Sequence, residues 1–157
     1  MLQFRNKTLK FGFYTSPTKL RVATWNVGTL KSRSAEVIET LSRRRVDICG
    51  VQEHRWKGGL ATSQVRYLKG KNCRYKFFYS AQKSGLGGSG ILLAECWADK
   101  VIEVQHISDS ITLLRLIIGK AVTTIISVYA PQAKLKDKDK DLLYDQLQST
   151  VAKVPAS

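Results

Sequence analysis

The chain has 157 residues, 43% of them hydrophobic and 24% charged, which suits one globular domain and excludes wholesale disorder. Lys and Arg number 26 against 12 acids, a formal net charge of +14 that makes a polyanion the natural partner. The three cysteines, Cys49, Cys73 and Cys96, are odd in number and lack a CxxC spacing. That argues against a disulfide framework or a Cys-built zinc site, and for a reducing compartment, nucleus or cytoplasm, rather than secretion. The longest apolar run, Ile111 to Ile118, is short and carries Arg115, so no membrane span is expected.

Residues 1–19 are basic and free of acids, and predict a flexible arm; a mitochondrial presequence is the alternative. Residues 20–157 predict the packed domain. Leu20 to Asn26 predicts a strand ending on a polar residue, and Val27 to Ser34 a turn-rich connection. Ala35 to Arg45 predicts a helix with Val37, Ile38 and Leu41 on one face. Ser32 or Ser34 can cap it, with Glu36 and Glu39 early and Arg43, Arg44 and Arg45 late. The apolar run Val46 to Gln52 predicts a buried strand. Strand, helix, strand over about thirty residues predicts a parallel pair, in which ligands gather at the carboxyl ends of the strands. Asn26 and Glu53 lie at those ends.

Strands are next expected over Arg74–Tyr79, Gly90–Ala94, Val101–His106, Ile111–Ile118 and Val122–Tyr129, with turns at Asp109-Ser110 and Gly119-Lys120. A lysine- and aspartate-rich loop, Lys134 to Asp141, leads to a last helix that sets Leu143, Leu147, Val151 and Val154 on one face and stops at Pro155. No acid occurs between Glu53 and Glu95, while that stretch holds Arg55, Lys57, Arg66, Lys69, Lys71, Arg74 and Lys76. These cations are the candidate nucleic-acid-binding residues.

Each candidate site residue has two readings. Asn26 can hydrogen-bond a phosphate or a metal-bound water, or simply start a turn. Glu53, at the mouth of a buried strand, must be solvated, paired or metal-bound, and Arg55 is an available partner. His54 points to the other face if the strand continues, and is not assigned to catalysis. Tyr129 can donate to a phosphate oxygen or pack as a rim aromatic. Gly85 to Gly90 (GLGGSG) satisfies the dinucleotide pattern, but a strand follows it instead of a helix. It is therefore read as a flexible hairpin-type connection.

The order TWNVGTL, helix, DICGVQEHRW, GGSGILL and ISVYAPQ resembles the endonuclease/exonuclease/phosphatase superfamily over about residues 20 to 155. It is most similar to craniofacial development protein 2-like sequences and the endonuclease domains of LINE-type retrotransposons. The resemblance implies a four-layered α/β sandwich (DNase I-like) that hydrolyses phosphodiesters, here nicking DNA, with Mg²⁺ or Mn²⁺. It assigns Asn26, Glu53 and Tyr129 to the catalytic cluster and Glu53 to the metal. The superfamily's later Asp-x-Asn and Ser-Asp-His motifs do not occur in these residues. The expectation is thus the N-terminal part of such a domain, with the second sheet largely missing, weak metal binding and no activity by itself. A partner chain covering the exposed sheet face is expected with it. The rival is a non-catalytic basic fragment that binds DNA or RNA; a phospholipid headgroup substrate is disfavoured.

Overall fold

The computed structural model describes residues 19–57, 63–80, 87–130 and 136–155. The arm over 1–18, Gly85 and Leu86 of the GLGGSG run, and residues 131–135 lie outside the described residues.

β1 (Val22–Asn26), α1 (Ser34–Arg43) and β2 (Ile48–Gln52) form the expected unit, and β1 pairs with β2 in parallel, Asn26 beside Gln52. The elements are shorter than predicted because the connections use the flanking backbone groups. Val46 donates to the Leu41 carbonyl (2.9 Å) and Arg45 to that of Ser42 (2.9 Å), with Arg45 at φ +56°. This is a Schellman stop with arginine where glycine is usual. Asp47 donates its N–H to the Arg21 carbonyl (2.8 Å), so β2 starts only at Ile48. The cap differs too: Arg33, not a serine, occupies the N-cap and makes no side-chain cap bond, while its guanidinium pairs with Glu36.

β3 (Ser63–Lys69), β4 (Arg74–Ser80) and β5 (Ser89–Ala94) complete a five-stranded sheet in the order β1-β2-β5-β4-β3. After a short 3-10 helix, Glu95–Lys100, come β6 (Val101–Ser108), β7 (Ile111–Ile118) and β8 (Ala121–Val128), an antiparallel meander forming a second sheet. Both tight turns fall where Asp109-Ser110 and Gly119-Lys120 predict them. α2 (Asp137–Ala152) follows; it begins within the stretch read as a loop, and Asp137 to Asp141 are its exposed first turn.

Four layers result: α1, the first sheet, the second sheet and α2. Alternation along β4 divides its residues between two cores. Tyr75, Phe77 and Tyr79 join Val37, Ile38 and Leu41 beneath α1, with the Tyr75 hydroxyl donating to the Val46 carbonyl (2.6 Å). Phe78 joins Ile48, Ile91, Leu93, Trp97, Leu114 and Leu116 between the sheets. Each fully buried aliphatic contributes about 1.5–3 kcal/mol. Cys49 belongs to the α1 core, where burial pushes its thiol up to about 12.

Among the described residues the second sheet consists of the three strands expected from the sequence. Its opening lies at one side, where β1 and β8 are both outer strands. A groove of about 300 Å³ there is lined by Val22, Thr24, Gln52 and Ile125 among others. On α2, Leu143, Leu147 and Val154 are half-buried and Thr150 is buried. Val151, expected on that face, is 54% exposed, because Thr150 takes the inward position in its turn. Among the described residues no helix is long and apolar enough to cross a membrane.

Candidate functional site

The carboxyl ends of β1 and β2 open at one rim. β2 ends at Gln52, and the chain then makes a tight excursion. Glu53 and Arg55 both adopt left-handed backbone, φ +58° and +55°, a conformation that costs non-glycine residues of order 1 kcal/mol each. Hydrogen bonds from both sides hold it. The Glu53 and Arg55 N–H groups donate to the carbonyls of Gly88 (2.9 Å) and Gly87 (3.0 Å). Leu30 N–H donates to the His54 carbonyl (3.0 Å), and Trp56 N–H to His54 Nδ1 (3.1 Å).

His54 is the pivot of this excursion. It is fully buried, packed edge-on to Phe77 and Tyr79 at ring-centroid distances of 5.6 and 5.3 Å. Burial pushes its pKa down to about 4, the nearby Ser80 backbone offsetting this only in part, and among the described residues no group stands within hydrogen-bond geometry of Nε2. The ring is therefore neutral and faces away from the rim, placed there by the loop and not by strand alternation, since β2 ends at Gln52. Gly88 lies against it: a Cβ there would stand 2.2 Å from His54 Nε2, and φ is +102°. Gly87 likewise backs the Tyr129 ring, with a virtual Cβ 2.8 Å from Cε1. Gly87 and Gly88 of the GLGGSG run are thus a close-packed floor for the loop. A Gly-Gly pair ahead of a strand signals close backbone approach in general, but cannot show which rings it accommodates.

The Glu53 carboxylate faces outward with 15% of its side chain exposed. Asn26 Nδ2 donates to Oε1 (3.0 Å), the Tyr129 hydroxyl donates to the same oxygen (3.3 Å), and Arg55 Nη2 donates to Oε2 (3.3 Å). These bonds, that from Asn26 foremost, hold the carboxyl below its ordinary pKa despite partial burial. The Tyr129 hydroxyl is shifted the other way by desolvation and by the adjacent anion. Asn26 starts a turn: its Oδ1 accepts the Gly28 N–H (3.1 Å), and that bond aims the amide nitrogen at Glu53. Of the readings of Glu53, the structure shows the pairing with Arg55.

Tyr129 arrives from the other sheet, one residue beyond β8, and its position depends on how the sheets are joined. Its N–H donates to the Ser110 carbonyl (2.8 Å). Beneath it the buried Ser89 hydroxyl bonds the Ser127 carbonyl (3.0 Å), and the Thr112 hydroxyl donates to the Ser89 carbonyl (3.2 Å). This satisfied polar strap fixes the two sheets at the site's end of the sandwich. Gly50, facing Ser127 Oγ across a 3.1 Å virtual contact, allows that approach.

The cations of the basic stretch do not form one surface. Arg55 joins the rim. Arg66 lies over the Trp56 ring (5.7 Å) on the α1 side of the sheet. Lys69, Lys71, Arg74 and Lys76 cluster around the β3–β4 hairpin, at the far end of the sheet from Glu53. Lys57 follows the loop and is exposed.

This architecture, a mixed sheet facing an antiparallel one with a helix layer outside each, matches the DNase I-like fold in part. Solved structures specify the likeness. An AP endonuclease from Archaeoglobus fulgidus superposes with a TM-score of 0.57 at 18% identity, covering 88% of this chain and 53% of that one. The endonuclease domain of TRAS1, a telomere-specific non-LTR retrotransposon, gives 0.52 at 13%, covering 85% and 54%. AP endonuclease LMAP from Leishmania major gives 0.55 at 11%, covering 83% and 45%. The chain spans about half the length of these structures, and at such identities the likeness establishes the fold alone. No protein-family model and no curated protein matches the sequence.

As a place for a divalent cation, the rim offers one ionised carboxylate. Among the described residues no three His, Cys, Asp or Glu side chains gather into a metal-holding group. Mg²⁺ commonly takes only one or two carboxylates, the rest of its shell being water and phosphate. Glu53 fits one such contact to a largely hydrated ion.

Proposed function

We propose that this chain is the N-terminal part of a Mg²⁺-dependent endonuclease module acting on DNA, of the retrotransposon and craniofacial development protein 2-like branch. The observation that carries it is the convergence of Asn26 and Tyr129, from different sheets, on one oxygen of an ionised Glu53 at the carboxyl ends of a parallel strand pair. In this reading Glu53 holds Mg²⁺, or Mn²⁺ in its place, and the ion supplies charge neutralisation at the scissile phosphate. Asn26 orients the carboxylate, and Tyr129 presents a hydroxyl that donates to a phosphate oxygen once released from Glu53. Arg55 adds positive charge at the same rim and draws the polyanion to it.

Phosphodiester hydrolysis also needs a positioned base for the attacking water. Glu53 is occupied by three donors, and His54, the histidine closest to it in sequence, is buried with its ring turned away. We therefore assign this chain by itself metal and nucleic-acid binding without efficient turnover.

Two measurements test the reading. Mn²⁺ titration followed by electron paramagnetic resonance should show weak binding that Glu53→Gln abolishes; binding unchanged by that substitution removes Glu53 as the metal ligand. Plasmid nicking with Mg²⁺ should stay at background. Robust nicking by the wild type that disappears in Glu53→Ala would show the set to be sufficient and overturn the assignment of inactivity.

A further inference from the structure

The first sheet is wider than the second. β6, the outer strand of the second sheet, reaches β4, and β3 extends beyond it. Register assigns the overhanging side chains to a face. Val65 pairs with Phe78 and Tyr67 with Lys76, and Phe78 is part of the core between the sheets. Val65 and Tyr67 therefore lie on that same face, yet are 51% and 47% exposed, because no strand of the second sheet covers them.

Two cations lie over the Tyr67 ring. The Arg74 guanidinium lies 4.8 Å from the Tyr67 ring centroid, and Lys76 Nζ lies 5.7 Å from it and 5.3 Å from that of Phe78. Lys69, opposite Arg74 in the register, is exposed at the same end. Two carboxylates lie nearby: Glu95 pairs with Arg74 and holds its guanidinium in position, and Glu39, from α1, accepts the Lys71 N–H (3.0 Å) at the hairpin turn. An exposed aromatic face bracketed by cations matches a ligand that alternates π-faces with anions. Single-stranded nucleic acid is that ligand; a duplex keeps its base faces stacked inside.

We propose that Tyr67, with Arg74, Lys76 and Lys69, is a single-strand-binding ledge in which Tyr67 stacks on an unpaired base and the cations hold the flanking phosphates. It rests on the nucleic-acid reading above and is separate from the Glu53 rim. Tyr67 is three strands across and about four residues down the sheet from Gln52, which puts it roughly 20 Å away. A strand held at both places would span several nucleotides, with the ledge gripping an unpaired segment away from the site of metal binding.

The test uses the full chain and a fluorescently labelled oligothymidylate in anisotropy titrations at low salt. Tyr67→Ala should weaken binding about tenfold, and Tyr67→Phe, which keeps the ring, should bind within about twofold of the wild type. Lys76→Gln should weaken binding and flatten its salt dependence. Circular dichroism checks that each variant folds. Wild-type affinity in both Tyr67→Ala and Lys76→Gln overturns the ledge, as does equal loss in Tyr67→Ala and Tyr67→Phe. Failure of the Glu53 reading is seen separately: Mn²⁺ binding is read at the rim and should be the same in Tyr67→Ala as in wild type.

Discussion

The two helical layers of this molecule are packed to different degrees. α1 buries Val37, Ile38 and Leu41 almost completely against a sheet face of Tyr75, Phe77 and Tyr79. α2 buries only Thr150 fully and leaves Leu142, Tyr144 and Val151 more than half exposed. The cause lies in the sheet each helix faces. Beneath α1 the inward positions of β4 are aromatic, and Cys49, Val51 and Leu92 complete an apolar floor. Beneath α2 the second sheet presents Glu103, Gln105 and Arg115 beside Leu113, and a groove of about 400 Å³ separates it from Gln146 and Thr150. An amphipathic helix gains little from facing a mixed surface. The candidate rim is built on the tightly packed half, with Tyr129 alone coming from the other sheet.

The largest expected effect comes from breaking the tight half at its closest contact. Gly88→Ala places a methyl on the His54 ring at a backbone angle that alanine resists. It should lower unfolding stability by about 4 kcal/mol, read from urea denaturation. A loss below about 1 kcal/mol would show that the loop can move off the ring, and that the floor under Glu53 is not rigid.

Acid should weaken the same half. The His54 pKa is about 4 in the folded protein against an ordinary 6.5. The unfolded chain therefore binds the extra proton between these values. Stability from the neutral ring is complete above pH 6.5, falls as pH drops through that window, and is gone below about pH 4. The amplitude is roughly 3 kcal/mol. Denaturation free energies measured across the window check it, and His54→Asn should flatten the dependence. Burial lowers the His106 pKa in the same direction, so a residual slope should remain in that variant.

The smallest effect sharpens the comparison itself. Ile38→Ala in α1 should cost about 3 kcal/mol, and Leu147→Ala in α2 about 1 kcal/mol. Amide exchange should run faster across α2 than across α1. Equal costs for the two substitutions would mean that α2 is anchored as firmly as α1.

Much of the fold was legible along the chain. The β1–α1–β2 unit has an apolar stripe of helical period between two apolar runs, and the meander has turn pairs at both tips. β3 was not legible: Ser63–Lys69 mixes Gln64, Arg66, Tyr67 and Lys69, because an edge strand beyond the opposing sheet need not alternate polarity. The stripe of α2 was misjudged at Val151 for a related reason, since a polar-faced sheet accepts Thr150 inward as readily as a valine. Asn26, Glu53 and Tyr129 could be singled out at strand ends, but not the bonds from Asn26 and Tyr129 to Glu53.

The sequence by itself determined most of the order of strands and helices, the parallel start of the first sheet and the three polar residues at its rim. These follow from local periodicity and from the direction in which each strand ends. Tertiary structure alone decided that Asn26 and Tyr129 meet on one oxygen of Glu53, that His54 and Gly88 lock the loop carrying it, and that the basic stretch divides between opposite ends of one sheet. Those outcomes depend on how two sheets of unequal width stack, which no single segment encodes.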